Sequence, residues 1–156
     1  MNYTESREQG TIAGYLKKHH PNIEFETVER EGKRTPRAQM LIKKLNSRSG
    51  WPDTRIYASR GDFSSLMIEN KANGTKLFQA RLNRFTNRHY EEQYKCHQAL
   101  IAAGHYVVFG IGISATIEII ERYLSGNPLP LPVYDYVSWD LEQSTDADTF
   151  FKERGL

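Results

Sequence analysis

The chain has a single cysteine, Cys96, in 156 residues, which excludes an internal disulfide and a cysteine-based zinc cluster. Its place in an amphipathic run marks it as a small core residue. Long apolar runs are missing as well. None approaches the ~20 residues that a membrane span requires, and the first residues lack the basic-then-apolar pattern of a secretory signal. No membrane partner is expected, and a cytoplasmic location is. Acids are scarce over most of the length: residues 126–156 hold six acids against two bases, net −4, which leaves residues 1–125 at +6 within an overall charge of +2. A basic body suits a polyanionic partner, although solubility alone also accounts for surface charge.

With 38% hydrophobic and 26% charged residues, the composition is that of one soluble globular domain with a real core. Prolines are few, six in all, and three of them fall within 128–132. Residues 1–125 therefore read as the folded domain. Residues 126–156 read as a Pro-rich acidic arm that packs on the domain or on a second subunit.

Along the chain, Thr4 can cap a first helix that ends at His19-His20-Pro21. Glu5 and Gln9 share one of its faces, which by itself is a common solvated stripe. Alternating residues 23–28 predict a strand. Thr35 and Pro36 then open a helix through Ala38, Met40, Leu41, Ile42 and Leu45. Around that helix Lys33, Arg34, Arg37, Lys43, Lys44 and Arg48 make the densest basic region, a solvated face or a surface for a nucleic-acid backbone. The stretch from Lys76 to His89 interleaves Lys76, Arg81, Arg84 and Arg88 with Phe78 and Phe85. It fits either a helical extension or a basic loop, and its arginines and aromatics can either grip a strand of nucleic acid or pack. Residues 90–103 predict a helix closed by Gly104, with His97 as a satisfied, partly buried side chain. Residues 106–111 predict a buried strand, and Ser114 caps a last helix.

The chemistry concentrates between Gly50 and Lys71. Gly50-Trp51-Pro52-Asp53 holds an aspartate at a rigid turn, and residues 55–58 and 63–71 predict two strands joined by a turn at residues 59–62. On the second strand Glu69 and Lys71, two apart, point the same way, so two carboxylates and an amine can converge. Asp53 and Glu69 suit a hard divalent cation, and Lys71 suits a water or a phosphate.

The order helix, strand, helix, hairpin with Pro-Asp and Glu-x-Lys, helix, strand, helix resembles the PD-(D/E)xK nucleases. More closely, from Glu5 to Leu124 the chain resembles the VRR-Nuc family. The residues that carry the likeness are Glu5 with Gln9 ahead of Gly14-Tyr15-Leu16, Gly32-Lys33-Arg34, Gly50-Trp51-Pro52-Asp53, Glu69-Asn70-Lys71, the helix from Gln93 to Ala102-Ala103-Gly104, and Tyr123-Leu124. The resemblance implies an α/β fold, a restriction-endonuclease-like core with a central mixed sheet flanked by helices. It implies a Mg2+- or Mn2+-dependent, structure-selective DNA endonuclease of Holliday-junction-resolvase type. Such an enzyme would work as a homodimer on branched DNA in repair, associated with a nucleoid or, if phage-encoded, in a host cytoplasm.

By the same resemblance Glu5 becomes a third metal ligand beside Asp53 and Glu69, and Gln9 and Gln93 become site residues. Flap, single-strand or restriction-like cutting and a non-cutting DNA-binding module are the alternatives on this fold. Three departures stand out. Asn70 replaces an apolar residue and so needs a hydrogen-bond partner, residues 76–89 are longer than usual, and the arm after Leu124 has no counterpart.

Overall fold

The structure, a computed structural model, describes residues 3–28, 35–45, 50–79, 84–128 and 131, without the side chains of 3–6, 38, 39, 42, 43, 45 and 78. Helix α1 spans Tyr3–His19, so it already contains Thr4, which is not its cap. Ile12, Tyr15 and Leu16 recur at helical spacing and are buried. Lys17, Lys18 and His19 occupy its last turn, where cations complement the helix dipole, and Pro21 cannot continue it. His20 does more than end the helix: its Nε2 lies 2.6 Å from Glu121 Oε1, which also accepts from the Tyr15 hydroxyl at 2.7 Å.

Strand β1 (Phe25–Thr27) is followed by α2 (Pro36–Leu45), β2 (Thr54–Ile56) and β3 (Leu66–Lys71). A hairpin comes next, β4 (Phe78–Gln79) with β5 (Arg84–Phe85), then α3 (Arg88–Ala102), β6 (Tyr106–Ile111) and α4 (Ile113–Leu124). The main sheet runs β1-β2-β3-β6, antiparallel except for the parallel β3–β6 pair. That mixed sheet flanked by helices is the α/β architecture expected.

Both β3 and β6 are buried along their whole length, as strands covered on two faces should be. Leu66, Ile68 and Val108 pack with Ile12 and Leu16 of α1 and with Ile119, Ile120 and Tyr123 of α4. On the other face Met67 and Val107 pack with Cys96 and Leu100 of α3. The period-two alternation thus sends Glu69 and Lys71 to the α3 side. Tyr123 closes the first layer by donating its hydroxyl to the Ala58 carbonyl at 2.7 Å, and Leu131 of the arm packs against the same core.

Several expectations are corrected. Of residues 76–89, Arg88 and His89 already begin α3, and the described residues before them form a hairpin with Phe78 paired to Phe85 and Gln79 to Arg84. The seven-residue spacing of the two phenylalanines suits two helical turns as well as a cross-strand pair, which is why periodicity did not choose. Ser114 is not the cap of α4; Gly112 is, at φ 82°, a conformation that favours glycine. The Gly112 amide donates to the Lys71 carbonyl at 2.9 Å, so the helix starts directly from the end of the β3–β6 ladder. In α2, as expected a helix, the two described large apolar side chains, Met40 and Leu41, are 63% and 56% exposed.

Candidate active site

The site begins with strand register. Thr54 pairs with Ile68 at the end of the antiparallel β2–β3 ladder, and Asp53 stands just before it, where its side chain reaches the backbone of Asn70, the residue between Glu69 and Lys71. Asp53 is held from two directions: its carbonyl accepts from Val28 N at 2.8 Å, and its Oδ2 accepts from Asn70 N at 3.3 Å. Pro52 before it is buried, and Asp53 itself is only 7% exposed.

Glu69 and Lys71 are equally enclosed, at 3% and 8%. Lys71 Nζ donates to Glu69 Oε1 at 2.8 Å, and the same oxygen accepts from Gln93 Nε2 of α3. Because an ionised carboxylate only accepts, this contact fixes which end of the Gln93 amide faces it. The Lys71 ammonium also sits 5.3 Å from the centre of the Tyr90 ring, within cation–π range. Gly50 brings the turn onto α3. At φ 88° it lies where an added Cβ would stand 3.0 Å from the Gln93 Cα.

On the opposite face of β3 the Asn70 amide finds the partner it needs, donating from Nδ2 to Thr54 Oγ1 at 2.8 Å. Its Oδ1 is buried without one.

Asp53, Glu69, Lys71 and Gln93 are therefore brought together. Gln9 is buried on α1 at 4% exposure, with its Nε2 making no hydrogen bond among the described residues. Glu5 lies one turn earlier on the same helix, and its side chain is outside the described residues. Of the basic positions, Arg37, Lys44, Lys76, Arg84 and Arg88 are exposed. Arg84 bonds Gln79 Oε1 at 3.2 Å and Arg88 pairs with Glu92 at 3.0 Å. Lys33, Arg34, Arg48, Arg81 and the Lys43 side chain fall outside the description.

Sequence reasoning missed Tyr90 and misjudged His97, which is fully buried at 0% exposure and makes no hydrogen bond through either ring nitrogen. The signal was present: Tyr90, Gln93 and His97 follow at intervals of three and four, one helix face.

Among the described residues no group of three or more His, Cys, Asp or Glu side chains forms a metal site. Two carboxylates do converge, and Mg2+ is usually held by one or two carboxylates plus waters. The donor set thus fits a hard divalent cation and not a thiolate- or imidazole-seeking one.

No family model matches the chain and no curated protein is similar to it. Among solved structures, one described as a "VRR_NUC domain protein" superposes with a TM-score of 0.55 and 21% sequence identity, covering 83% of this chain and 95% of that one. At that identity the likeness speaks for architecture: the chain has the fold of a VRR_NUC domain protein.

Proposed function

We propose that this protein is a divalent-metal-dependent endodeoxyribonuclease that hydrolyses phosphodiester bonds in branched DNA, of Holliday-junction-resolvase type. The observation that carries the reading is the buried Asp53 seated on the Asn70 amide, next in the chain to a Glu69 that holds the Lys71 ammonium. The name of the VRR_NUC neighbour agrees with it.

Asp53 and Glu69, with Glu5 from the first turn of α1, would hold Mg2+ or Mn2+. The ion, when bound, supplies Lewis acidity at a phosphate oxygen and makes a nearby water more acidic. Water oxygen attacks phosphorus in line and one P–O ester bond breaks. The products are a phosphate monoester and a hydroxyl, the proton of the water ending on the leaving oxygen or solvent.

Lys71 contributes a fixed positive charge. Held between Glu69 and the Tyr90 face, its ammonium can donate to an oxygen of the scissile phosphate as negative charge builds there. Gln93 keeps Glu69 in one orientation, and the backbone bond from Val28 keeps Asp53 in place. Gln9 lies one turn after Glu5 on α1. Exposed Arg37, Lys44, Lys76, Arg84 and Arg88 would neutralise DNA backbone beyond the cut, making binding salt-dependent. A two-fold homodimer would place two such sites on opposed strands of a symmetric junction.

The test is cleavage of labelled four-way junction, flap, duplex and single-stranded DNA, with and without chelator, by wild type, Asp53→Asn and Lys71→Ala. Metal-dependent cutting that favours the junction and is lost in both variants, with circular dichroism unchanged, is expected. No metal-dependent cutting, or undiminished cutting by both variants, refutes the reading.

A further inference from the structure

His97 is an oddity that the proposed chemistry leaves unused. Its ring is wholly buried, packed against Phe109 with centroids 4.5 Å apart and planes tilted by 44°, and neither nitrogen bonds to the described residues. Burial, reinforced by the Lys71 charge, pushes its pKa down to about 3, so the ring is neutral and offers one N–H and one lone pair. One helical turn earlier Gln93 has the complementary lack: Nε2 is committed to Glu69, and Oε1 is buried with no donor. Side chains four apart on a helix are neighbours, with Cβ atoms roughly 5–6 Å apart.

Buried polar atoms are rarely left unsatisfied, and ordered water is the common partner where two or more of them face one space. A water between these residues could donate to Gln93 Oε1 while accepting from, or donating to, the His97 ring.

We propose that Gln93 and His97 enclose one buried water between adjacent turns of α3, and that through this water His97 is a positioning residue for Glu69. The water tethers the carbonyl end of the Gln93 amide, so the amide cannot rotate and its Nε2 stays on the carboxylate. Removing the ring frees Gln93 and lets Glu69 turn away from Lys71. The consequence for cutting rests on the proposed nuclease function; the water and the amide tether do not.

The experiment uses the full-length protein, labelled with 15N at histidine and glutamine side chains. Wild type should show His97 as a single neutral tautomer, a long-lived water in contact with its ring, and a sharp Gln93 side-chain amide. His97→Leu should lose the water contact and broaden or shift the Gln93 amide, while its denaturation midpoint stays close to wild type because the polar ring and its water leave together. Its kcat for DNA cleavage should fall ~10-fold at unchanged KM. His97→Gln, which keeps a polar group in reach, should recover most of that loss.

No water at the wild-type ring overturns the proposal, as does an undisturbed Gln93 amide in His97→Leu. A parallel fall of stability and kcat, the signature of a merely structural side chain, or an unchanged kcat overturns the positioning role. If the wild type cuts no DNA, the functional reading fails, and the water and amide signals still decide this one.

Discussion

Replacing Gly50 by alanine should do more damage than its place in a surface turn suggests. The residue has φ 88°, and a left-handed backbone costs a non-glycine residue about 1–2 kcal/mol. An added Cβ would also stand 3.0 Å from the Gln93 Cα and 3.3 Å from the Glu92 carbonyl oxygen. Both atoms are helix backbone and cannot swing aside, so the turn or the helix must move, at a further cost of about 1–3 kcal/mol by analogy with overpacked cores.

Gly74 separates the two contributions, because it has φ 78° and nothing within 4 Å of its would-be Cβ. Urea denaturation should then place Gly74→Ala about 1–2 kcal/mol below wild type and Gly50→Ala about 2–5 kcal/mol below it, with similar m-values. The turn that moves leads directly into Pro52-Asp53 and rests on Gln93. Cleavage by Gly50→Ala should therefore drop further than its unfolded fraction explains, while Gly74→Ala cuts normally once folded. Equal destabilisation of the two variants, or a fully active Gly50→Ala, would refute the idea that this contact sets the place of Asp53.

Three other outcomes are expected. His97 has a folded pKa of about 3 against an ordinary 6.5, so on acidification the unfolded chain takes up the proton first. Its contribution to stability is complete above about pH 6.5 and falls by on the order of 3 kcal/mol between pH 7 and pH 4. In His97→Leu the slope of stability against pH over that window should flatten, and an unchanged slope would mean that the ring is not the group responsible. Thr54→Val alone should cost about 1–3 kcal/mol by stranding the Asn70 amide, whereas Thr54→Val with Asn70→Leu should be near neutral or stabilising, since both partners go together; a double variant worse than the single contradicts this. Tyr90→Leu should lower cleavage while Tyr90→Phe, which keeps a ring face toward the Lys71 ammonium, should largely preserve it; equal loss in both would point to the hydroxyl instead.

What the sequence made legible follows from the reach of each signal. Period-two alternation put Glu69 and Lys71 on one face and Asn70 on the other, and their partners agree: Glu69 meets Lys71 and Gln93 of α3, while the Asn70 amide meets Thr54. The apolar run 106–111 was read with the bounds that β6 has. Signals that depend on a second element were weaker. The Phe78–Phe85 spacing fits two structures, the apolar side of α2 says nothing about whether a partner exists, and Ser114 was credited with a cap that a glycine at positive φ takes instead. His97 was misjudged for a like reason: burial is visible in periodicity, but whether a buried nitrogen meets an acceptor depends on what lies across from it.

The candidate site combines three placements of different physical origin, and their agreement argues against coincidence more strongly than any one motif. Backbone amides of Val28 and Asn70 seat Asp53 beside β3, helix spacing aligns Tyr90, Gln93 and His97, and Gly50 lets the chain before Asp53 approach α3. The enclosed groups Asp53, Glu69 and Lys71 carry a formal charge of −1 between them, at 7%, 3% and 8% exposure. An interior that concentrates negative charge is costly unless a cation offsets it. A lysine on one carboxylate does part of this, and under the proposed function a divalent cation held also by Glu5 would bring three carboxylates and the lysine to a formal charge of zero, which no longer repels a phosphodiester. The arrangement is then one whose stability and affinity for the backbone should change sign together on chelation: tighter packing and tighter DNA binding with metal, looser in both without it.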